Sequence, residues 1–280
     1  MPEHRPPPAP DLVARLRAAG CVFAEEEAQL LQQAAGDRDE LEALVRRRVE
    51  GWPLEHVVGW AEFCGLRILL DPGVFVPRPR TELMARCAVD RAVDGAVDGA
   101  VHRAGGAPPV VVDLCCGSGA VAAAVLAAVP GAVVHAADVD PAAVRCARRN
   151  LPGRQVHEGD LFEALPGHLC GVVDVLAANV PYVPTDQLAF LPAEARDHEP
   201  RVALDGGPDG LTLLRRVAAG AAGWLRPGGH VLVEVSARQV SDAWSEFAAA
   251  GLEPELVEDD ELDARVLVGR RPLIGTGRPG

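Results

Sequence analysis

Val110-Val111-Val112-Asp113 is an unbroken β-branched run that feeds Leu114-Cys115-Cys116-Gly117-Ser118-Gly119 and then a helical stretch from Ala120 to Ala128. A strand with no polar alternation is covered on both faces, which is the condition of a parallel sheet flanked by helices. The unit recurs. Val133 to Ala137 reads as a second strand ending in Asp138, Asp140-Pro141 starts a helix to Asn150, and Gln155 to Glu158 reads as a third strand. The apolar run Val172 to Ala178 and the strand His230 to Val235, entered through the tight turn Pro227-Gly228-Gly229, continue the series. Helices are predicted over Leu211 to Trp224 and Ala237 to Ala250, and Leu252 to Val257 with Arg265 to Gly269 reads as a closing antiparallel pair around the acidic run Glu258 to Asp263. Strands alternating with helices imply a doubly wound α/β sheet.

In such a sheet ligands bind beyond the C-terminal ends of the strands. The first turn has the pattern D-x-x-x-G-x-G, not the G-x-G-x-x-G of dinucleotide binders, and it lets backbone N–H groups approach a ligand at a helix N-terminus. Asp138, ending the second strand, is placed to accept two hydrogen bonds from a ribose diol, and Gly159-Asp160-Leu161-Phe162 follows the third strand where an adenine would be gripped. After Val172 to Ala178 comes Asn179-Val180-Pro181-Tyr182, then Val183 and Pro184. The two prolines forbid that strand from continuing, so the chain turns out at the ligand-binding edge. Asn179 offers an acceptor oxygen, the Val180 carbonyl offers another, and Tyr182 offers a flat face, a set suited to one planar amide-like group. The competing reading is a strand-ending turn capped by Asn179.

Composition narrows the chemistry. The 280 residues carry a formal charge of −13, which argues against a protein that grips nucleic acid by its phosphates and suits a substrate with basic patches. All 27 basic residues are arginine, which excludes a P-loop lysine, a Schiff base and a Ser-Lys dyad. The 7 cysteines show no C-x-x-C spacing, so neither a disulfide framework nor a metal site is expected. The proline-rich start is not a charged and apolar leader, and no apolar run reaches membrane-spanning length; a soluble cytoplasmic monomer is the expectation.

Upstream, Asp11 to Ala19, Glu25 to Ala35 and Asp37 to Glu50 are predicted helices, with Asp11 and Asp37 as N-caps. They define a helical unit over 1–52 that is too small to be an enzyme by itself and is read as a substrate-docking domain, or else as a stabilising appendage. Residues 53–80 read as a β-hairpin linker: a run from Ala61 to Leu70 broken at Gly65, then the turn Asp71-Pro72-Gly73 before Val74-Phe75-Val76. Residues 81–280 form the α/β domain. Thr81 is placed to cap a helix from Glu82 through Val93, bringing Arg78 toward an anionic ligand group, and the tandem AVDG within Ala92 to Ala107 reads as a flexible connection. His135, His157 and His168 are read as core or surface histidines.

With these pieces assembled, the sequence resembles the HemK/PrmC family, protein-(glutamine-N5) methyltransferases of the Gly-Gly-Gln loop of peptide chain release factors. The resemblance runs over nearly the whole chain: Pro53-Leu54, Gly59, Glu62-Phe63, Phe75-Val76-Pro77-Arg78, Thr81-Glu82, Asp113, Gly117-Ser118-Gly119, Asp138, Gly159 to Phe162, Asn179 with Pro181-Tyr182, Glu199-Pro200-Arg201 with Leu204, Gly210-Leu211, Pro227-Gly228-Gly229, and Glu234 with Gln239. It implies S-adenosylmethionine as methyl donor, a seven-stranded Rossmann-like methyltransferase domain, and a helical domain that docks the release factor or another glutamine-bearing protein. Carried over, Cys115, Cys116, Gly117, Ser118 and Gly119 would line the methionine part of the cofactor, Asp138 the ribose and Leu161 the adenine, with Asp113, Asp160 and Asn179 also cofactor-binding, and Asn179, Val180, Pro181 and Tyr182 would hold the substrate amide. Two positions depart from the family pattern: Val180 stands where the second residue of Asn-Pro-Pro-Tyr is proline, and Cys115 replaces the first glycine of the turn. The expectation is that Cys115 is tolerated provided its backbone does not need positive φ. The Val180 change bears on substrate identity and leaves open an enzyme tied to a dedicated biosynthetic pathway. The rival readings are N-methylation of a small pathway metabolite, of a nucleobase, whose adenine presents the same planar NH₂, or cofactor binding without catalysis.

Overall fold

The structure is a computed structural model that describes residues 10–102 and 107–273. The proline-rich start and the end of the Ala92 to Ala107 connection lie outside the described residues. Three helices, α1 (Pro10–Ala18), α2 (Ala24–Ala34) and α3 (Arg38–Val49), open the chain. Their apolar stripes, led by Leu12, Leu16, Leu31 and Val45, close a core that also takes in Val57. Asp37 caps α3 as expected, its side chain accepting from the Glu40 N–H at 2.8 Å. Asp11 does not cap α1: the helix begins at Pro10 and Asp11 lies in its first turn.

A short helix, α4 (Leu54–Val58), leads into the hairpin β1 (Trp60–Phe63) and β2 (Leu66–Leu69). Its two-residue turn is Cys64-Gly65, both at positive φ, the geometry that matches the twist of paired strands. Val74 to Val76 is not a strand; Val74 and Val76 are buried with Leu70 against Ala143 and Cys146. The next helix, α5 (Glu82–His102), runs well past Val93 and through the tandem AVDG, correcting the flexible connection read there. No proline interrupts that stretch, and a glycine costs a helix only about 1 kcal/mol against alanine.

The remaining elements build the sheet. They are β3 (Val110–Leu114), α6 (Ala120–Ala128), β4 (Val133–Asp138), α7 (Pro141–Asn150), β5 (Gln155–Glu158), β6 (Val173–Ala178), α8 (Ala193–His198), α9 (Thr212–Trp224), β7 (Leu225–Glu234), α10 (Val240–Ala249), β8 (Glu253–Asp259) and β9 (Ala264–Arg270). The strand order is β5-β4-β3-β6-β7-β9-β8, parallel through β7, with β9 antiparallel to both β7 and β8. The pleat sorts the core into two layers. Val111, Val175, Ala177 and Leu232 face α5, α6 and α7, while Val112, Leu176, Ala178 and Val233 face α9 and α10. The turn at Pro227-Gly228-Gly229 appears as a bulge in β7, between the Val173 and Val175 pairings of β6.

Chain order fixes the place of the site. From β3 the chain steps outward to β4 and β5, then returns to lay β6 on the other side of β3, so the sheet's direction of winding reverses between those two strands. Leu114 and Ala178 are register partners there, and Cys115 and Asn179 leave the sheet side by side.

Candidate active site

A cavity of about 540 Å³ opens beyond this switch point, lined by the first turn, the ends of β4 and β5, and the loop after β6. Asp113, Cys115, Cys116, Gly117, Ser118, Asp138, Asp160, Leu161 and Asn179 to Tyr182 all border it. Of the residues that the resemblance assigns to cofactor and substrate amide, only Gly119 stands behind the wall: a Cβ there would meet Leu151 Cδ1 at 2.9 Å, so its glycine lets α6 pack on α7.

The first turn coils through positive φ at Cys115 (53°), Gly117 (54°) and Gly119 (78°). The condition set for Cys115 is therefore not met: an L-residue occupies the left-handed region, at a cost of about 1–2 kcal/mol. Gly117 borders open space, with nothing within 4 Å of where a Cβ would stand. Its N–H donates to Asp138 Oδ2 at 2.8 Å, and the Asp140 N–H donates to Asp138 Oδ1 at 2.9 Å. Each carboxylate oxygen keeps a lone pair for a further donor. Burial raises the Asp138 carboxyl above its ordinary range, partly offset by these backbone donors. Asp113 is buried; its Oδ2 accepts from the Ala122 N–H at 3.1 Å, and burial pushes its carboxyl up to about 7. Ser118 is buried, and its carbonyl accepts from Asn150 Nδ2, which also bonds the Leu69 carbonyl and so moors the hairpin to the turn.

Asp160 is half-exposed and paired with Arg216 at 2.9 Å. Leu161 is buried at φ 49°. Phe162 does not reach the cavity but stacks on Trp224, with ring centroids 5.8 Å apart. Arg78 borders the cavity, but its charge is taken by the buried Glu199 at 2.5 Å.

The loop after β6 is stitched on both sides. Val183 N–H donates to Leu204 O and Gly206 N–H to Val183 O. Gln239 Nε2 donates to Tyr182 O at 3.0 Å and to Gly210 O at 3.2 Å. Val180 is 1% exposed and Pro181 is buried. Asn179 Nδ2 donates to Thr81 Oγ1 at 3.3 Å, and Thr81 Oγ1 donates to Glu234 Oε2 at 2.7 Å. Thr81 is thus not a helix cap; its hydroxyl is spent on β7. Tyr182 OH donates to the other oxygen, Glu234 Oε1, at 3.2 Å. Burial, then the Glu234 carboxylate, raises the Tyr182 phenol well above its ordinary value.

Sequence reasoning gave Glu234 no task, although a carboxylate closing the apolar strand His230 to Val235 was a signal. Arg80, beside Glu234 and on the cavity wall, also went unnoticed. His135 and His157 meet ring to ring at 3.0 Å and, with His168, do not border the cavity. Among the described residues no group of His, Cys, Asp or Glu is placed to hold a metal ion, and the cysteines are free.

The donor set suits a nucleoside-bearing cofactor. It offers an open backbone turn at a helix N-terminus, a carboxylate with spare lone pairs one strand over, and an apolar wall at Leu161. Residues 103–183 match the family described as Methyltransferase small domain. A release factor glutamine methyltransferase of Deinococcus radiodurans is 33% identical over 98% of this chain and 93% of its own length. The Streptomyces coelicolor enzyme of the same name is 42% identical over 68% of this chain, a match that spans 65% of that relative. A 4-amino-L-phenylalanine/4-methylamino-L-phenylalanine methyltransferase of Streptomyces pristinaespiralis is 39% identical over 74% of this chain and 69% of its own length. The solved protein-(glutamine-N5) methyltransferase of Alicyclobacillus acidocaldarius aligns at 24% identity over 70% of this chain and 94% of that one, with a TM-score of 0.41.

Sheet, switch-point cavity and sequence kinship together make this an S-adenosylmethionine-dependent methyltransferase of Rossmann-like fold. Within that class the chain belongs to the family of the release factor glutamine methyltransferases.

Proposed function

We propose that the chain methylates the side-chain nitrogen of a glutamine in a peptide chain release factor. The observation that carries this reading is the orientation of Asn179: its Nδ2 is tied back to Thr81, which leaves Oδ1 for the cavity. S-adenosylmethionine, when bound, supplies an electrophilic methyl group. Gly117, Asp138 and Leu161 would hold its methionine, ribose and adenine parts. An amide nitrogen is a poor nucleophile because its lone pair is shared with the carbonyl. Asn179 Oδ1 and the Val180 carbonyl would accept its two N–H groups, fix it in line and favour pyramidalisation, while Tyr182 covers the amide plane. The buried loop excludes water, and no base is needed before transfer.

The helices of residues 1–52 would dock the protein substrate. Supporting this, Arg48 of α3 bonds Glu194, a residue of the cavity rim, at 2.6 Å, and Trp52 lies 4.3 Å from His198 between ring centroids. A second reading is favoured by the Streptomyces pristinaespiralis relative: an arylamine presents the same planar NH₂ as an amide. Incubation with S-adenosylmethionine and either a release factor or 4-amino-L-phenylalanine, followed by mass spectrometry, separates the two. The expected result is one added methyl group on the glutamine of the release factor, with Asn179→Ala slower by about 10²-fold or more at near-normal cofactor affinity. Methylation of the amino acid alone would replace the first reading by the second.

A further inference from the structure

We propose that Thr81 and Glu234 are positioning residues whose hydrogen-bond polarity decides which end of the Asn179 amide faces the methyl acceptor. The inference rests on the reading that Asn179 receives the acceptor's N–H. An asparagine amide has nearly the same shape either way round, yet only the orientation with Oδ1 outward can accept from an NH₂ group. Packing alone does not choose between the two; a neighbour with a defined donor and acceptor sense does.

Thr81 has that sense imposed on it. Its side chain is 3% exposed, as is Glu234, so neither exchanges its partner for water. Glu234 Oε2 takes the single Thr81 hydroxyl proton at 2.7 Å and Oε1 takes the Tyr182 proton at 3.2 Å. The Arg80 guanidinium stands 3.9 Å from Oε1. Burial raises the Glu234 carboxyl above its ordinary range, and the three donors that face it work against this by favouring the ionised, acceptor-only form. With its proton committed, Thr81 Oγ1 has only lone pairs for Asn179, and only Nδ2 can meet them. Oδ1 is turned to the cavity as a result. The same carboxylate holds Tyr182, so a single buried anion anchors both ends of Asn179-Val180-Pro181-Tyr182.

Around Glu234 the charged and titratable groups are Arg78 and Arg80 before α5, Tyr182 after β6, and Asp263 and Arg265 at the β8–β9 end, which line a small cavity with it. Protonating Glu234 gives it a donor. Thr81 can then turn its own proton to Asn179, and the amide loses its fixed sense.

The test uses the full chain and whichever acceptor the unaltered enzyme methylates. Thr81→Val keeps shape and removes the hydroxyl; kcat should fall by about 10- to 100-fold, with cofactor affinity by calorimetry and KM for the acceptor little changed. Thr81→Ser should recover most of the rate. Tyr182 is the sole tyrosine, so ultraviolet titration reports it alone. Glu234→Gln should lower its phenol pKa, since the carboxylate is one cause of its elevation. Thr81→Val within twofold of the unaltered rate, or Thr81→Ser no faster than Thr81→Val, overturns the polarity role. An unchanged Tyr182 titration in Glu234→Gln overturns the shared anchor. If no acceptor is methylated, the proposed function fails while the titration still judges the anchor.

Discussion

Cys115 carries a side chain on a backbone that favours none. Glycine there removes the left-handed strain but adds freedom to the unfolded chain, so the clean comparison is Cys115→Gly against Cys115→Ala, neither of which retains the thiol. The glycine variant should be the more stable by about 1 kcal/mol in urea denaturation. Equal stabilities would mean that the turn relaxes around an L-residue at no cost. Burial and the nearby Asp138 and Asp113 carboxylates hold the Cys115 thiol far above its ordinary pKa, and Cys116 likewise, so both stay protonated and slow toward alkylating reagents at neutral pH. At this scale the sequence was readable for identity and not for conformation. The departure at Cys115 was visible as a letter; its φ depends on how the turn is pinned by Gly117 and Asp138, a long-range contact that no local propensity encodes. Thr81 misled for a related reason, because a threonine before a helix reads as a cap until a buried carboxylate from another strand claims its hydroxyl.

Between elements, the joint that matters most is the one from β3 to α6, where Asp113 of the strand accepts from Ala122 in the helix's first turn. Its carboxyl titrates near 7 in the fold against 3.8 unperturbed. Between about pH 4 and 7 the folded protein keeps a proton that the unfolded chain has released, so stability falls as pH rises through that window, by on the order of 4 kcal/mol in all. Asp113→Asn should flatten that slope, matching the unaltered protein at the acid end and exceeding it above pH 7, as read from urea midpoints across the range. A slope that persists in the variant would assign it to other groups. The strands and helices of the sheet were legible because covered strands write themselves as β-branched runs, as at Val110 to Val112. The short pieces were not: α4 and α8 have too few turns to show a periodicity, and the continuation of α5 through the tandem AVDG was masked by its glycines.

On the scale of the molecule, Arg48 ties the helical unit to the α/β body. It is 8% exposed, doubly bonded to Glu27 of α2, and reaches Glu194 of α8 with its remaining nitrogen. Arg48→Met should cost about 3–5 kcal/mol, chiefly by leaving Glu27 buried and unpaired. It should also raise KM for a release factor while cofactor affinity by calorimetry holds. An unchanged KM would count against docking by the helices. Nothing in the sequence linked residue 48 to residue 194; such pairings are products of the assembled fold. The same is true of the joint between Thr81 and Glu234, 153 positions apart. That distance has a meaning for a chain in the course of synthesis. By the time β6 has emerged from the ribosome, the cofactor turn and Asn179 are both outside, but the residue that orients Asn179 is still to be made. A chain released before β7 is made would carry a cofactor pocket with an undirected amide and would transfer methyl more slowly.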